Sequence, residues 1–240
     1  MSIKSADDLL KRLNSLQLFD HHCHGIVTEP LQRPKFEELI SESSSPAAVG
    51  TTRFDSQIGF QVRGSCAPII GLSSFCSPSK YIEKRATMSP ATVNSKFLEA
   101  AGIKTFGLET GHSADTITTP DELNQLTGKT VYEIVRLEKV AEEVAEKIRD
   151  QDCSDKETAF LKELDATLQT RINNAIGVKS IAAYRIGLDF SPARPTKDEL
   201  SKAVANLLAQ DGEIRLEDST IIRYLLWFAI DAAQVIQLHI

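Results

Sequence analysis

Apolar residues recur along the chain with two spacings, one typical of helices and the other of strands. After Ser5-Ala6-Asp7-Asp8, which has the pattern of a helix cap, leucines follow at helical spacing. The run Leu16-Gln17-Leu18-Phe19 comes next and favours a strand that continues into a histidine-rich stretch. Four later apolar runs predict further strands, at Ile103–Leu108, Val131–Leu137, Val178–Tyr184 and Val235–Ile240. The second of these four has a helical alternative, because Glu133 and Arg136 interrupt it.

Helical periodicity and capping residues place helices between the strands. Ser89-Pro90 begins one helix and Gly102 ends it, while Ser154 and Gly177 bound a long one. The predicted helices lie at 5–16, near 35–41 and 55–62, at 89–101, 119–123 (a helical turn), 139–149 and 154–175, from 196 onward, and at 219–233.

This succession of strands and helices predicts an α/β protein with a parallel sheet and right-handed crossovers. A barrel and an open doubly wound sheet both fit it. No G-x-G-x-x-G motif follows the first strand, which disfavours dinucleotide binding. Ligands at inward-facing strand ends fit a barrel better than an open sheet. We expect a single domain over 1–240, with an insertion at about 25–89.

Composition and charge indicate which kinds of partner and which cellular location to expect. The chain has 240 residues, 42% hydrophobic content and a net charge of -6, without a stripe of Lys and Arg, so nucleic acid is not expected as a partner. The sequence shows neither a signal peptide nor a membrane-length apolar stretch, and we expect a cytoplasmic protein. The four cysteines lack C-x-x-C spacing and are expected to be reduced, with Cys23 packing rather than binding metal.

Three histidines are the candidate metal ligands. On an extended strand His22 and His24 point to the same face, and two imidazoles converging from one strand make half of a divalent metal site. His239, at the end of the fifth predicted strand, could supply a third nitrogen. Such a triad with one open position would activate water. The alternatives are a polar turn with incidental histidines and a frayed terminus at His239.

Lys179 and Arg185 share the fourth predicted strand with even spacing, so both could face one side. A buried lysine is costly unless it is paired or modified. Lys179 could be carbamylated and bridge metals, bind a substrate anion, or pair with Glu109 or Glu138. We rank anion binding and simple pairing above bridging, because Lys179 falls early in its strand.

Glu109, Arg136 and Glu138 lie at the ends of the second and third strands, where barrel enzymes carry active-site groups. Arg136 or Arg185 could hold a substrate carboxylate, and a structural Arg–Glu pair across neighbouring strands fits equally well. His112 could act as a proton shuttle, but a solvent-exposed loop histidine is the preferred interpretation.

Leu18-Phe19-Asp20-His21-His22-Cys23-His24-Gly25 resembles the first-strand D-x-H-x-H signature of the amidohydrolase superfamily. The chain is more narrowly similar to bacterial TIM-barrel metal-dependent hydrolases related to the domain fused to glutamine synthetase. The further matching stretches are Cys66-Ala67-Pro68, Val135–Glu138, Lys179–Arg185 and Gln237-Leu238-His239.

The resemblance implies a TIM (β/α)8-type barrel with about five of its eight strands in this chain. It also implies that His22, His24 and His239 are metal ligands. It also implies a histidine after a sixth strand and a general-base aspartate after an eighth, both beyond residue 240, so the chain is expected to be truncated after the fifth strand. Zinc is the expected metal, with manganese or iron as alternatives.

The resulting hypothesis is a hydrolase that cleaves an amide or related bond of a small, anionic substrate through a metal-activated water. The alternatives are a metal-dependent decarboxylase or uronate-type isomerase of the same superfamily, and a non-catalytic scaffold fragment. A homo-oligomer is a further expectation.

Overall fold

The structure, a computed structural model, describes residues 5–41, 53–112, 116–232 and 234–239. The chain divides into two compact units. Unit 1 comprises Met1–Asp20, Gly25–Phe106 and Asp115–Thr130, and unit 2 comprises His21–His24, Gly107–Ala114 and Val131–Ile240. The predicted insertion at 25–89 falls in unit 1, and its residues 42–52 lie outside the described part of the chain.

Five strands form one sheet in the order β1-β2-β3-β4-β5. The register of the last three is parallel, with Val135 opposite Val178 and Val178 opposite Ile236. The α/β class is therefore as predicted. The strands are β1 (Leu18–Cys23), β2 (Ile103–Glu109), β3 (Thr130–Arg136), β4 (Gly177–Ser180) and β5 (Ile236–Leu238).

The predicted TIM (β/α)8-type barrel is wrong, since the structure has a five-stranded parallel sheet and not an eight-stranded barrel. Closure would give every strand two hydrogen-bonded neighbours, whereas β1 and β5 each have one in the strand order. Side chains link these two edge strands within unit 2. Gln237 Nε2 donates to the backbone oxygen of His21 over 3.0 Å.

Unit 1 consists mainly of short helices that pack around aromatic side chains. Ser5, Ser77, Ser89 and Thr119 cap the N-termini of four of them through their side-chain oxygens. The buried residues of its core cluster are Phe36, Phe54, Ala67, Ile70 and Tyr81. Its helices are α1 (Ala6–Asn14), α2 (Arg33–Leu39), α3 (Gln57–Gln61), α4 (Ala67–Ile69), α5 (Pro78–Ala86), α6 (Pro90–Ala100) and α7 (Pro120–Thr127), with a 3-10 turn at Arg53–Asp55 and a π-helical turn at Val62–Cys66.

Unit 2 contains the larger core, in which five helices pack with β3 and β4. In the longest helix, apolar residues at four-residue spacing are fully buried (Phe160, Leu164, Leu168 and Ile172), so this helix presents one continuous apolar face. The helices are α8 (Leu137–Arg149), α9 (Lys156–Asn174), α10 (Ala182–Ile186), α11 (Lys197–Leu208) and α12 (Ser219–Asp231).

Most predicted elements are confirmed within a few residues, and β4 is the main exception. The expected strand Val178–Tyr184 ends at Ser180, and α10 begins at Ala182. The predicted ends of the last helix at Ala233 and of the fifth strand at Ile240 lie outside the described residues. Over the described residues, the helices are too short or too polar to cross a bilayer.

We expect Leu164→Ala to lower the free energy of unfolding by about 2–5 kcal/mol, because it removes a fully buried side chain from the α9 face. Urea denaturation at neutral pH measures the change. The control is Leu188→Ala, at an exposed position, which should change stability by less than about 0.5 kcal/mol. Equal effects of the two substitutions would contradict this assignment of the core.

Candidate functional site

Polar side chains from all five strands lie near the carboxyl ends of those strands in unit 2. In open parallel sheets, ligands bind outside this edge of the strands. His22 belongs to β1 and His24 follows it, while His239 follows β5. The other members are Glu109 at the end of β2, Arg136 at the end of β3 and Lys179 in β4.

His22 contacts groups from two other strands. Its Nε2 atom lies 3.3 Å from Lys179 Nζ, and its ring centroid lies 4.7 Å from that of His239, nearly perpendicular to it. The backbone N–H of His239 donates to the carbonyl of Ser180, which ties the residue after β5 to the end of β4. Two of the three predicted ligands, from opposite ends of the chain, are thus brought together.

His24 lies in a second group, around the carboxylate of Glu109. Its Nδ1 atom is 3.1 Å from Glu109 Oε2, and its ring centroid is 4.8 Å from that of His112, which is exposed. Arg136 Nη2 lies 2.5 Å from the same carboxylate oxygen, and the N–H of Gly111 donates to the other oxygen. A Cβ atom at position 111 would come within 2.8 Å of Glu109 Oε1, so this close approach requires glycine.

The surroundings of Glu109 keep it ionised. The side chain is 1% exposed, and burial by itself raises the pKa of a carboxyl. Contact with His24 and the positive charge of Arg136 outweigh burial and hold the pKa of Glu109 at about 2. Arg136 therefore forms the structural pair across neighbouring strands that was one of the two sequence interpretations.

Lys179 is a buried ammonium group, 1% exposed. Burial lowers the pKa of Lys179, and the charge of Glu109 only partly opposes this. Burial and the neighbouring Lys179 also lower the pKa of His239, while burial lowers that of His112. Within the described residues, no acidic group lies within 4.0 Å of Lys179, so neither Glu109 nor Glu138 forms the expected ion pair with it.

Arg185 and Glu138 contact groups other than the three histidines. Because β4 ends early, Arg185 belongs to α10, and the predicted shared strand face with Lys179 is wrong. Arg185 Nη1 lies 3.0 Å from Glu142 Oε1, with both side chains about nine-tenths buried. Glu138 accepts hydrogen bonds from the Ser180 hydroxyl and the Ile181 N–H, and burial raises its pKa.

Cys23 packs as predicted. Its Sγ atom lies 3.6 Å from the carbonyl oxygen of Gly107 on β2, and all four cysteines are free thiols.

Tyr184 is a neighbour of the site that sequence reasoning missed. It is exposed, and its ring lies 5.2 Å from that of His239, edge to face. It falls within the Lys179–Arg185 stretch but was assigned to a strand. Because Tyr184 lies in α10, the alternating periodicity of a strand could not predict where its side chain points.

The donor set suits a divalent cation, but the described side chains are not gathered around one point. Imidazole nitrogens and a carboxylate are suitable ligands for zinc, and the buried His24 Nδ1 makes no well-aligned hydrogen bond within the described chain. Among the described residues, no group of three or more His, Cys, Asp or Glu side chains could hold one ion. Lys179 Nζ lies against His22 Nε2, the ring nitrogen of His22 that would bind a metal ion in this site. The residues therefore fit a metal in donor chemistry, and binding requires Lys179 to leave His22.

No protein-family model and no curated protein matches the chain. The fold is similar to a crystal structure of a "putative metal-dependent hydrolase" from Lactobacillus casei ATCC 334, with a TM-score of 0.70 and 22% sequence identity. The match covers 97% of this chain and 60% of that one, so the chain spans about three fifths of the neighbour's length. At this identity the likeness establishes a shared fold.

We expect Glu109→Gln to lower the free energy of unfolding by about 3 kcal/mol at pH 7, because it leaves Arg136 without its buried partner. The folded-state pKa of about 2 lies below the ordinary value of 4.5, so the carboxylate stabilises the fold fully above about pH 4.5. That contribution fades as the pH falls toward 2.

The difference in the free energy of unfolding between wild type and Glu109→Gln should therefore be smaller at pH 3.5 than at pH 7, as measured by urea unfolding. The exposed Glu83→Gln is the control and should match wild type at both pH values. A Glu109→Gln protein as stable as wild type at pH 7 would exclude a stabilising ion pair.

Proposed function

We propose that the protein is a metal-dependent hydrolase whose divalent ion is bound by His22, His24 and His239. The observation that carries this proposal is the contact between His22 and His239, which brings imidazoles from the two edge strands to one place. The likeness of the fold to a protein named as a metal-dependent hydrolase supports the same class. The substrate is proposed to be small and anionic, and the bond an amide or a related one.

A bound divalent ion would supply Lewis-acid polarisation of the scissile carbonyl. The chain's contribution starts with Glu109. Its carboxylate faces Nδ1 of His24, which leaves Nε2 as the nitrogen that can bind the metal. A carboxylate behind a metal-ligating histidine fixes the orientation of the ring and increases its basicity.

Lys179 is the proposed anion-binding group. It is a cation next to His22, and within the described chain no carboxylate lies within 4.0 Å of it. Drawing its ammonium onto a substrate carboxylate would stabilise both charges and free the His22 nitrogen. Arg136 already neutralises Glu109 and Arg185 is paired with Glu142, so these two arginines are the weaker candidates. The general base is not assigned to a residue of this chain.

We expect purified wild-type protein to retain about one equivalent of zinc after dialysis, as measured by plasma mass spectrometry. His22→Ala, His24→Ala and His239→Ala should each weaken zinc affinity by about tenfold or more, because each removes a nitrogen ligand. His21→Ala is the matched control: it removes a neighbouring imidazole that is not a proposed ligand, and zinc binding should persist.

A non-catalytic scaffold is the second candidate, favoured by the lack of a three-ligand group among the described side chains. Wild-type protein without zinc affinity, or equal loss from His21→Ala and the three ligand variants, would support the scaffold and reject the metal site.

The reaction class is tested with zinc-loaded protein and a panel of small N-acyl amino acids in 18O-labelled water. Hydrolysis places one labelled oxygen in the released carboxylate. Carbon dioxide release with the amide bond intact would instead identify a decarboxylase, and conversion of a supplied uronate into an isomer of unchanged mass would identify an isomerase.

A further inference from the structure

Helix α1 presents an apolar face that the described residues of the chain leave exposed. Leu9, Leu10 and Leu13 of α1 and Leu16, two residues beyond its end, are 42–57% exposed, and none of the residues of α1 is buried. Leu18 and Phe19, just beyond the helix in the same unit, are also about half exposed. Contiguous exposed apolar side chains of this kind mark interaction surfaces.

We infer that α1 is a self-association surface, on which the leucine face of one copy packs antiparallel against the same face of a second copy. A two-fold interface of this type uses one patch twice, so the patch must be complementary to itself. Helix α1 meets that condition in its charges as well as in its apolar stripe.

The charges of α1 are ordered along the helix, with acids before bases. Asp7 and Asp8 occupy the first turn, and Lys11 and Arg12 occupy the last. At 3.6 residues per turn, Asp7 and Lys11 fall on one side of the leucine stripe, while Asp8 and Arg12 fall on the other. Over the described residues, none of these four side chains takes part in an ion pair, so their charges are available to a partner.

An antiparallel copy crossing between Leu9 and Leu10 would align these charges. Asp7 would face Lys11 of the second copy on one side, and Asp8 would face Arg12 of the second copy on the other. Leu13 would then lie against Ala6 of the second copy, where a small side chain leaves room. Each acid–base contact would occur twice in the dimer, once from each protomer.

The expected dimer is weak and concentration-dependent. Burying an exposed leucine contributes about 1.5–3 kcal/mol at most, and these four leucines are already half covered. Association costs at least several kcal/mol of lost translational and rotational freedom. An interface of a few leucines per copy therefore corresponds to reversible dimerisation at micromolar or higher concentrations.

Sedimentation equilibrium of the full chain across a concentration series tests the inference. We expect the mass to rise from 26.4 kDa toward twice that value as concentration increases. Leu13→Asp should raise the dimer dissociation constant by about tenfold or more, because it places a charge in the apolar contact. Since Leu13 is 52% exposed, the far-UV circular dichroism and melting temperature of the Leu13→Asp variant should match those of wild type.

The matched control is Leu39→Asp, which makes the same change on α2 at a position that is 54% exposed. It should leave the dissociation constant unchanged. Equal weakening of the dimer by both substitutions, or no weakening by Leu13→Asp, would overturn the assignment of the interface to α1. A wild-type chain that is monomeric at every concentration would overturn it as well.

A charge-swap pair tests the antiparallel arrangement. One variant carries Asp7→Lys and Asp8→Lys, and the other carries Lys11→Glu and Arg12→Glu. Each alone should be monomeric, because like charges would face each other in its homodimer. Mixed at equal concentration, the two should form a heterodimer with affinity close to that of wild type, because opposite charges meet again. Failure of the mixture to dimerise would overturn the antiparallel arrangement.

Discussion

The buried carboxylate of Glu109 is the interaction on which the carboxyl edge of the sheet depends. It ends β2 and contacts His24 after β1, Arg136 at the end of β3 and the N–H of Gly111 in the loop that follows. A carboxylate that is 1% exposed is tolerated only because these positive and hydrogen-bonding groups surround it. Removing one partner leaves another charge buried, so the strand ends behave as one electrostatic unit.

The contacts around Glu109 separate the candidate metal ligands into two groups. Glu109 contacts His24, while His22 contacts both Lys179 and His239. A cation in contact with His22 would oppose a metal ion at the same nitrogen. The arrangement therefore couples metal binding to the position or charge of Lys179, and an anionic substrate is the natural group to draw that ammonium away. His22 and His239 are in contact, but the described histidines are not arranged as a three-ligand metal site.

Sequence reasoning located the strand ends well, because apolar runs and capping residues are local signals. His22, His24, Glu109, Arg136 and His239 all lie near the carboxyl edge, as strand periodicity predicted. Lys179, expected early in its strand, also lies at this edge, because β4 ends at Ser180. Sequence reasoning failed for Arg185, because the chain leaves β4 at Ser180 and turns into α10, where Glu142 pairs with the arginine. That partner is distant in sequence, and alternating apolar positions carry no information about it. The prediction of a barrel was also wrong, because it depended on how strands distant in the sequence pair with each other. The edge strands β1 and β5 are linked by the hydrogen bond from the Gln237 side chain to His21 and not by a ladder of backbone hydrogen bonds.

The central claim is that His22, His24 and His239 converge on one cation, and X-ray absorption spectroscopy of the zinc-loaded 240-residue chain tests it most directly. The account predicts a first shell containing three imidazole nitrogens at about 2.0–2.1 Å, reduced to two by His239→Ala. A first shell of oxygen or sulfur ligands without imidazole, or one that His239→Ala leaves unchanged, would contradict it.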